Sequence, residues 1–282
     1  MRYMQDLPQT TVAPELLRWL VATEGSDSRS KWLLFDGAIL GEKATKHLVH
    51  MSSEKTIHNI FANTDLAAYG WAVPHLIRLH SGQRGANYLH EMLGQSAGAP
   101  AIAVLDACAD VDELCGALRW LAQAKTIEGM SVYCRFADTR ITPALLDVLC
   151  SPQRLILKRA IEDWKIVDRK GNLRSLLNRS TAPSSASAPR HSANDTLEAF
   201  VLSDEQFLAM MRSAEADEIF QMLCEGVPDL VPDSHLGDFH VRLSALAVAA
   251  RRCGLESTGE IFQFSVIAMT TCDSFFLDPV LE

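Results

Sequence analysis

"AIAVLDACADVDELCGALRWLAQAK", residues 101–125, changes its period halfway along. The first seven residues form a short, almost unbroken apolar run, the pattern of a buried strand. From Val111 the apolar residues instead recur at helical spacing. Asp110 stands as candidate N-cap with Glu113 three residues on, and Lys125 falls in the last turn, where positive charge is favoured. A strand feeding a helix is the unit from which layered α/β structures are built.

The same alternation extends in both directions. Residues 31–40, 59–64, 75–80, 130–138 and 155–167 are further strand candidates, and 13–22, 86–94 and 143–150 show helical spacing. Thr142 is the expected cap of the last of these, with Pro143 at its first helical position. Residues 1–177 therefore read as an α/β (α+β) domain with a mixed sheet and flanking helices. Residues 178–196, "NRSTAPSSASAPRHSANDT", are rich in Ser, Ala and Pro with no hydrophobic periodicity, and read as a flexible linker. Residues 197–282 read as a small all-α domain. Ser203 with Gln206 and Ser257 with Glu260 have capping-box spacing, and Gly254 stops the helix that carries Arg251 and Arg252 in its last turn.

Charge divides along the same line. From Leu197 onward there are four arginines, no lysine and fifteen Asp plus Glu, a formal −11, whereas the preceding residues carry +2. An acidic C-terminal part suits a basic or neutral partner, and the lack of a Lys/Arg cluster argues against nucleic acid. Seven cysteines without a CxxC pair read as reduced, buried thiols. No basic-then-apolar leader opens the chain and no run of about 18 apolar residues could span a bilayer, so a cytoplasmic protein with no membrane partner is expected.

Candidate chemistry is sparse. "GQSAG" (94–98) fits the G-x-S-x-G pattern of a serine-hydrolase elbow, with His191, His235 or His240 as a later base. That mechanism needs a strand turning into a helix, whereas here a helical pattern precedes Ser96 and a strand follows. Asp106, Asp110, Asp112 and Glu113 could approach a hard cation, but helix-start acids need no metal and the calcium-loop spacing is absent. The pairs His47/His50 and His235/His240 have no HExxH or CxxC neighbour. No catalytic residue, cofactor or metal is assigned.

The segment "YCRFADTR" (133–140) remains. Alternation of Val132, Cys134 and Phe136 with Tyr133 and Arg135 predicts a strand running into Asp138, flanked by Arg135 and Arg140. One carboxylate can accept from two guanidinium groups, and the set has no general base or nucleophile. Arg135, Phe136, Asp138 and Arg140 therefore read as a structural ion-pair motif or groove, with an anion-binding domain as the alternative.

"YCRFADTRITPALLDVL" also resembles the R-F-x-D-x-R-then-helix signature of the type VI secretion adaptor/chaperone family, with Thr139 where members often carry proline. "WLLFDGAI", "VPHLIRL", "AIAVLDACADVDELCGALRWL" and "AIEDWKIVDRKG" resemble family segments in the same order over roughly residues 30 to 177. "LSDEQF" and "ARRCGLESTGEIFQFSVIA" resemble the helical extension of many members. The resemblance implies a non-enzymatic chaperone that binds a cognate toxic effector in the producing cell and helps load it onto the VgrG spike. Partner-binding residues are not identified by it.

Overall fold

The computed structural model describes residues 2–21, 30–52, 56–177 and 199–271. The expected linker, 178–196, lies outside them, as do His191 and Cys272.

The N-terminal part is built on a six-stranded sheet. After helix α1 (Val12–Val21) come β1 (Ser30–Asp36), α2 (Gly37–Leu40), α3 (Glu42–Met51), β2 (Ile57–Asn59) and, past a 3₁₀ stretch at Asp65–Ala72, β3 (Pro74–Leu79). Then follow α4 (Gln83–Gln95), β4 (Ile102–Ala107), α5 (Val111–Ala122), β5 (Gln123–Thr126), β6 (Ser131–Tyr133), α6 (Thr142–Val148), α7 (Ser151–Ala160), β7 (Ile161–Val167) and β8 (Leu173–Ser175). The large sheet runs β2-β3-β1-β4-β7-β8 with every pairing antiparallel. Its central strands are buried on both faces, which is why they read as continuous apolar runs. Leu33, Phe35, Ile77, Ile102 and Val104 pack under α1 and α4, and their alternates Trp32, Leu34, Leu76, Ala103 and Leu105 under α5, α6 and α7.

Several local expectations give way to contacts the sequence does not display. The strand of 31–40 stops at Asp36, whose carboxylate accepts from Ile39 N at 3.1 Å and starts α2. Gly37 is required there, since a Cβ would lie 1.9 Å from the Trp71 carbonyl oxygen. In 59–64 only Asn59 is extended, because its side chain accepts from Phe61 N at 2.8 Å and turns the chain. Residues 155–160 are helical rather than extended. Pro152 in the first turn and the Cys150–Gln153 capping box begin α7 upstream, and the strand starts only at Ile161. Lys125 is not in a helix: α5 ends at Ala122, and Gln123–Thr126 pairs antiparallel with β6.

β6 is itself short. Beyond Tyr133 the chain turns on local bonds, Phe136 N to Cys134 O and Asp138 N to Arg135 O, so the expected strand through 138 does not form. Thr142 is one residue inside α6, capped by Ile141, and its hydroxyl donates at 2.8 Å to the Phe136 and Asp138 carbonyls.

The C-terminal part comprises β9 (Phe200–Leu202), α8 (Asp204–Gly226), α9 (Leu236–Arg252) and α10 (Thr258–Thr270). Both capping boxes form, at Ser203/Gln206 and Ser257/Glu260. The chain thus has a sheet-and-helix N-terminal part and a helical C-terminal part. The second sheet, β6-β5-β9, joins them, since β9 adds parallel to β5 with Phe200 against Trp120.

Helix α8 belongs to both cores. Phe207 and Met210 pack on the sheet-domain core, and Ala216, Ile219, Phe220 and Leu223 pack with α9 and α10. The amino-terminal arm fastens the same junction. Asp6 N donates to Arg169 O and Gln9 N to Gly171 O, each at 2.8 Å. Gly171 has φ 77°, and a Cβ would fall 2.1 Å from the Leu7 carbonyl oxygen. Met4 is fully buried among the C-terminal helices, and Asp6 accepts from Leu236 N and Gly237 N, capping α9 where His235 supplies no side-chain cap.

Met4→Ala is therefore expected to cost about 2–5 kcal/mol, the range for truncating a buried large side chain. Leu7→Ala, at a residue 63% exposed, should stay within about 0.5 kcal/mol. Urea unfolding of the two variants measures the difference. Equal losses would show that the arm does not join the helical core.

Candidate functional site

The turn after β6 is where the sequence concentrates charge. Asp138 has a side chain with no solvent exposure, and it accepts from Arg140 three times: from the backbone N and Nε at 3.0 Å and from Nη2 at 2.6 Å. Arg140 is also nearly enclosed. Its Nη1 lies 3.8 Å from Asp217 Oδ1 of α8, and its guanidinium stacks 4.8 Å from the Tyr3 ring. Burial works against the Arg140 charge, but the bonds and field of Asp138, with Asp217 behind it, hold its pKa above the usual value.

Asp217 is gripped from the other side by Arg169, in the turn between β7 and β8. Nη1 donates to Oδ1 at 3.0 Å and Nη2 to Oδ2 at 2.5 Å, a bidentate pair, and Nη1 also reaches the Met4 carbonyl at 3.3 Å. Asp138, Arg140, Asp217 and Arg169 thus alternate in sign across three segments, the post-β6 turn, α8 and the β7–β8 loop, and the amino-terminal arm lies against them through the Met4 carbonyl and the Tyr3 ring.

Arg135 does not join Asp138 as expected. It donates through Nη2 to Asp36 Oδ2 at 3.2 Å, so each arginine of "RFADTR" serves a different carboxylate. The turn set by Phe136 N to Cys134 O and Asp138 N to Arg135 O separates them. Burial raises the Asp36 pKa, with the Arg135 charge and the Ile39 N–H opposing the rise. Phe136 is wholly buried and meets Trp164 edge-on at 6.4 Å, a core role. Asp36 was hidden in the sequence at the end of an apolar run. Arg169 and Asp217 had faint signals, a charged turn in "VDRKG" and an acid between the buried Ala216 and Ile219.

The other candidates separate. Ser96 closes α4, and its hydroxyl donates to the Leu93 carbonyl at 3.4 Å, so the strand-to-helix elbow is absent. Asp110 caps α5 by accepting from Glu113 N at 2.9 Å, the helix-start role. Among the described residues no group of three His, Cys, Asp or Glu could hold a metal ion. His47 meets Glu91 at 2.9 Å, and His235 precedes α9 in the left-handed region. Cys115 and Cys134 are buried, with thiols pushed up to about 11 chiefly by burial. Cys108, Cys150 and Cys253 are exposed, contrary to the expectation of buried thiols throughout. No helix among the described residues is long and apolar enough to cross a membrane.

His240 of α9 lies beside the same network. Its Nε2 is enclosed without a hydrogen-bond partner, and burial pushes its pKa down to about 4, with Arg169 adding to the fall and Asp217 opposing it.

Asp138→Ala is expected to destabilise the fold by about 3–5 kcal/mol, because Arg140 is left charged in an enclosed site. Arg135→Ala, which removes a more exposed side chain, should cost less. Chemical denaturation of both variants tests the ranking, and an unchanged midpoint for Asp138→Ala would contradict it. His240 predicts a pH dependence of definite sign. Its unfolded pKa is about 6.5 and its folded value about 4, so between these the unfolded chain takes up a proton that the folded chain refuses. Stability from this residue is whole above that window and falls by about 3 kcal/mol as pH drops through it. Thermal melts of wild type and His240→Gln should diverge across the window, and parallel curves would refute the assignment.

No curated protein and no solved structure matches the chain. Residues 31–155, a span that contains Asp36, Arg135, Asp138 and Arg140 but neither Arg169 nor Asp217, match the model of a family described as a domain of unknown function, DUF4123.

Proposed function

We propose that the protein is a non-enzymatic adaptor or chaperone of a bacterial type VI secretion system. In this reading it binds a cognate toxic effector in the cytoplasm and helps load it onto the VgrG spike. The matched family is described only as one of unknown function, so the role rests on the ordered resemblance of the segments to secretion adaptors.

The observation that carries the reading is how the signature residues are used. Asp138 is saturated by Arg140, Arg140 is further held by Asp217, and Arg135 is spent on Asp36. Charges already neutralised in this way support scaffolding rather than turnover or capture of a free anion. Ser96 at a helix end gives the hydrolase alternative no comparable support.

The test is co-expression with the effector and spike genes that neighbour this one, followed by affinity purification through a tag on this chain. The effector is expected to be retained, and deletion of the adaptor gene to reduce its delivery. Retention of neither neighbour together with unchanged delivery would refute the role.

A further inference from the structure

The small sheet β6-β5-β9 has two edges, and the molecule treats them differently. On the β9 side the Val201 carbonyl accepts from Gln153 Nε2 at 2.9 Å. Gln153 is fixed in turn by Cys150 N and Gln206 Nε2, both at 2.9 Å. A side chain there stands in for a neighbouring strand. On the β6 side, among the described residues, no strand other than β5 pairs with Ser131–Tyr133.

The register fixes which backbone groups face outward. Thr126 N bonds Met130 O and Cys134 N bonds Ala122 O, so Ala124 and Val132, midway between, form the inward hydrogen-bonded pair. The N–H and C=O groups of Ser131 and Tyr133 therefore point away from β5. Apolar side chains flank this edge: Tyr133 is 46% exposed, Met130 54% and Ile127 64%. Ser131–Tyr133 carries no proline, lysine or inward charge, and its three-residue length is what limits unguided pairing. The large sheet offers no equally defined edge, because β2 and β8 run close to 53–55 and 178–198, outside the described residues.

We infer that the outer edge of Ser131–Tyr133 is a strand-addition site for an extended segment of another polypeptide, which places an apolar residue against Tyr133. The occupant follows from the chemistry on offer. Alternating outward donors and acceptors are matched by extended backbone, and the flanking side chains reward apolar contact. The same sheet already completes itself in this manner, since β9 arrives from beyond residue 198 and adds to β5 on the opposite side. The inference goes beyond the adaptor reading and does not require it, because it concerns the form of the bound segment and not its source.

The test selects a displayed library of random, proline-free peptides on the full chain, with Ser131→Pro and Tyr133→Pro as counter-targets. Each variant deletes an N–H that bonds nothing inside the sheet, and proline is tolerated on edge strands. Enriched peptides are expected to bind wild type and to weaken by about tenfold or more on either variant, the loss of one or two hydrogen bonds with their register. Should the variants misfold, amide exchange on the wild-type chain reads the same geometry: a selected peptide must slow Ser131 and Tyr133. Failure to enrich any peptide that distinguishes wild type from the variants overturns the proposal, as does an enriched peptide that leaves both amides unprotected. A concentration-dependent dimer abolished by Ser131→Pro would also overturn it, in favour of a second copy at this edge. Retention of the neighbouring effector is scored separately, so the adaptor reading can fail while the edge stands, or the reverse.

Discussion

A carboxylate with no exposure to water is tolerable only if its charge is answered on the spot, and Asp138 meets that condition through Arg140. The requirement then propagates. Arg140 is itself nearly enclosed, and a second carboxylate, Asp217 on α8, lies 3.8 Å from its Nη1. Asp217 is satisfied by Arg169, which arrives from the β7–β8 loop and takes the Met4 carbonyl with it. Each ion is placed by the one before it, so the turn after β6 constrains the position of a helix some eighty residues later.

That constraint explains why the acidic surplus of the C-terminal part does not make it a free body. Several of its acids are spent inside the molecule: Asp217 on the arginines of the sheet domain, and Glu215 on Arg251 within the helical unit. Helix α8, about 35 Å long at 1.5 Å per residue, is too stiff to pack in two cores independently. Phe207 and Met210 at one end and Ile219 and Phe220 at the other settle its axis together. The arm reinforces this by burying Met4 in one core while its backbone follows the β7–β8 loop of the other.

What the sequence made legible was whatever is local. The buried strands around Leu33 and Val104 announce themselves as apolar runs, and Asp110, Ser203 and Ser257 cap their helices three residues ahead, as their spacing requires. What it concealed depends on partners far along the chain. Gln123–Thr126 has the composition of a helix end and becomes a strand only because β6 and β9 flank it. Residues 155–160 run without a break into the apolar strand that follows, yet Pro152 and Gln153 commit them to a helix from upstream. In the candidate site, proximity in sequence suggested that Asp138 shares both arginines. The backbone turn assigns Arg135 to Asp36, a residue about a hundred positions earlier, and no spacing rule could have linked those two.

The distribution of spent and unspent groups bears on what such a molecule can offer a partner. Strong, directional ionic contacts are taken up by its own assembly, so a ligand competing for Arg140 or Arg169 would have to dismantle the joint between the two parts. Recognition at lower cost is left to groups whose pairing the fold does not complete. At β6 these are main-chain donors and acceptors framed by Tyr133, Met130 and Ile127. Backbone pairing of this kind sets direction and register without demanding a particular sequence, and apolar side chains add affinity by excluding water. The proposed adaptor role, holding another chain and later releasing it, would be well served by such a division, since the bound segment can leave without breaking any ion pair on which the fold depends.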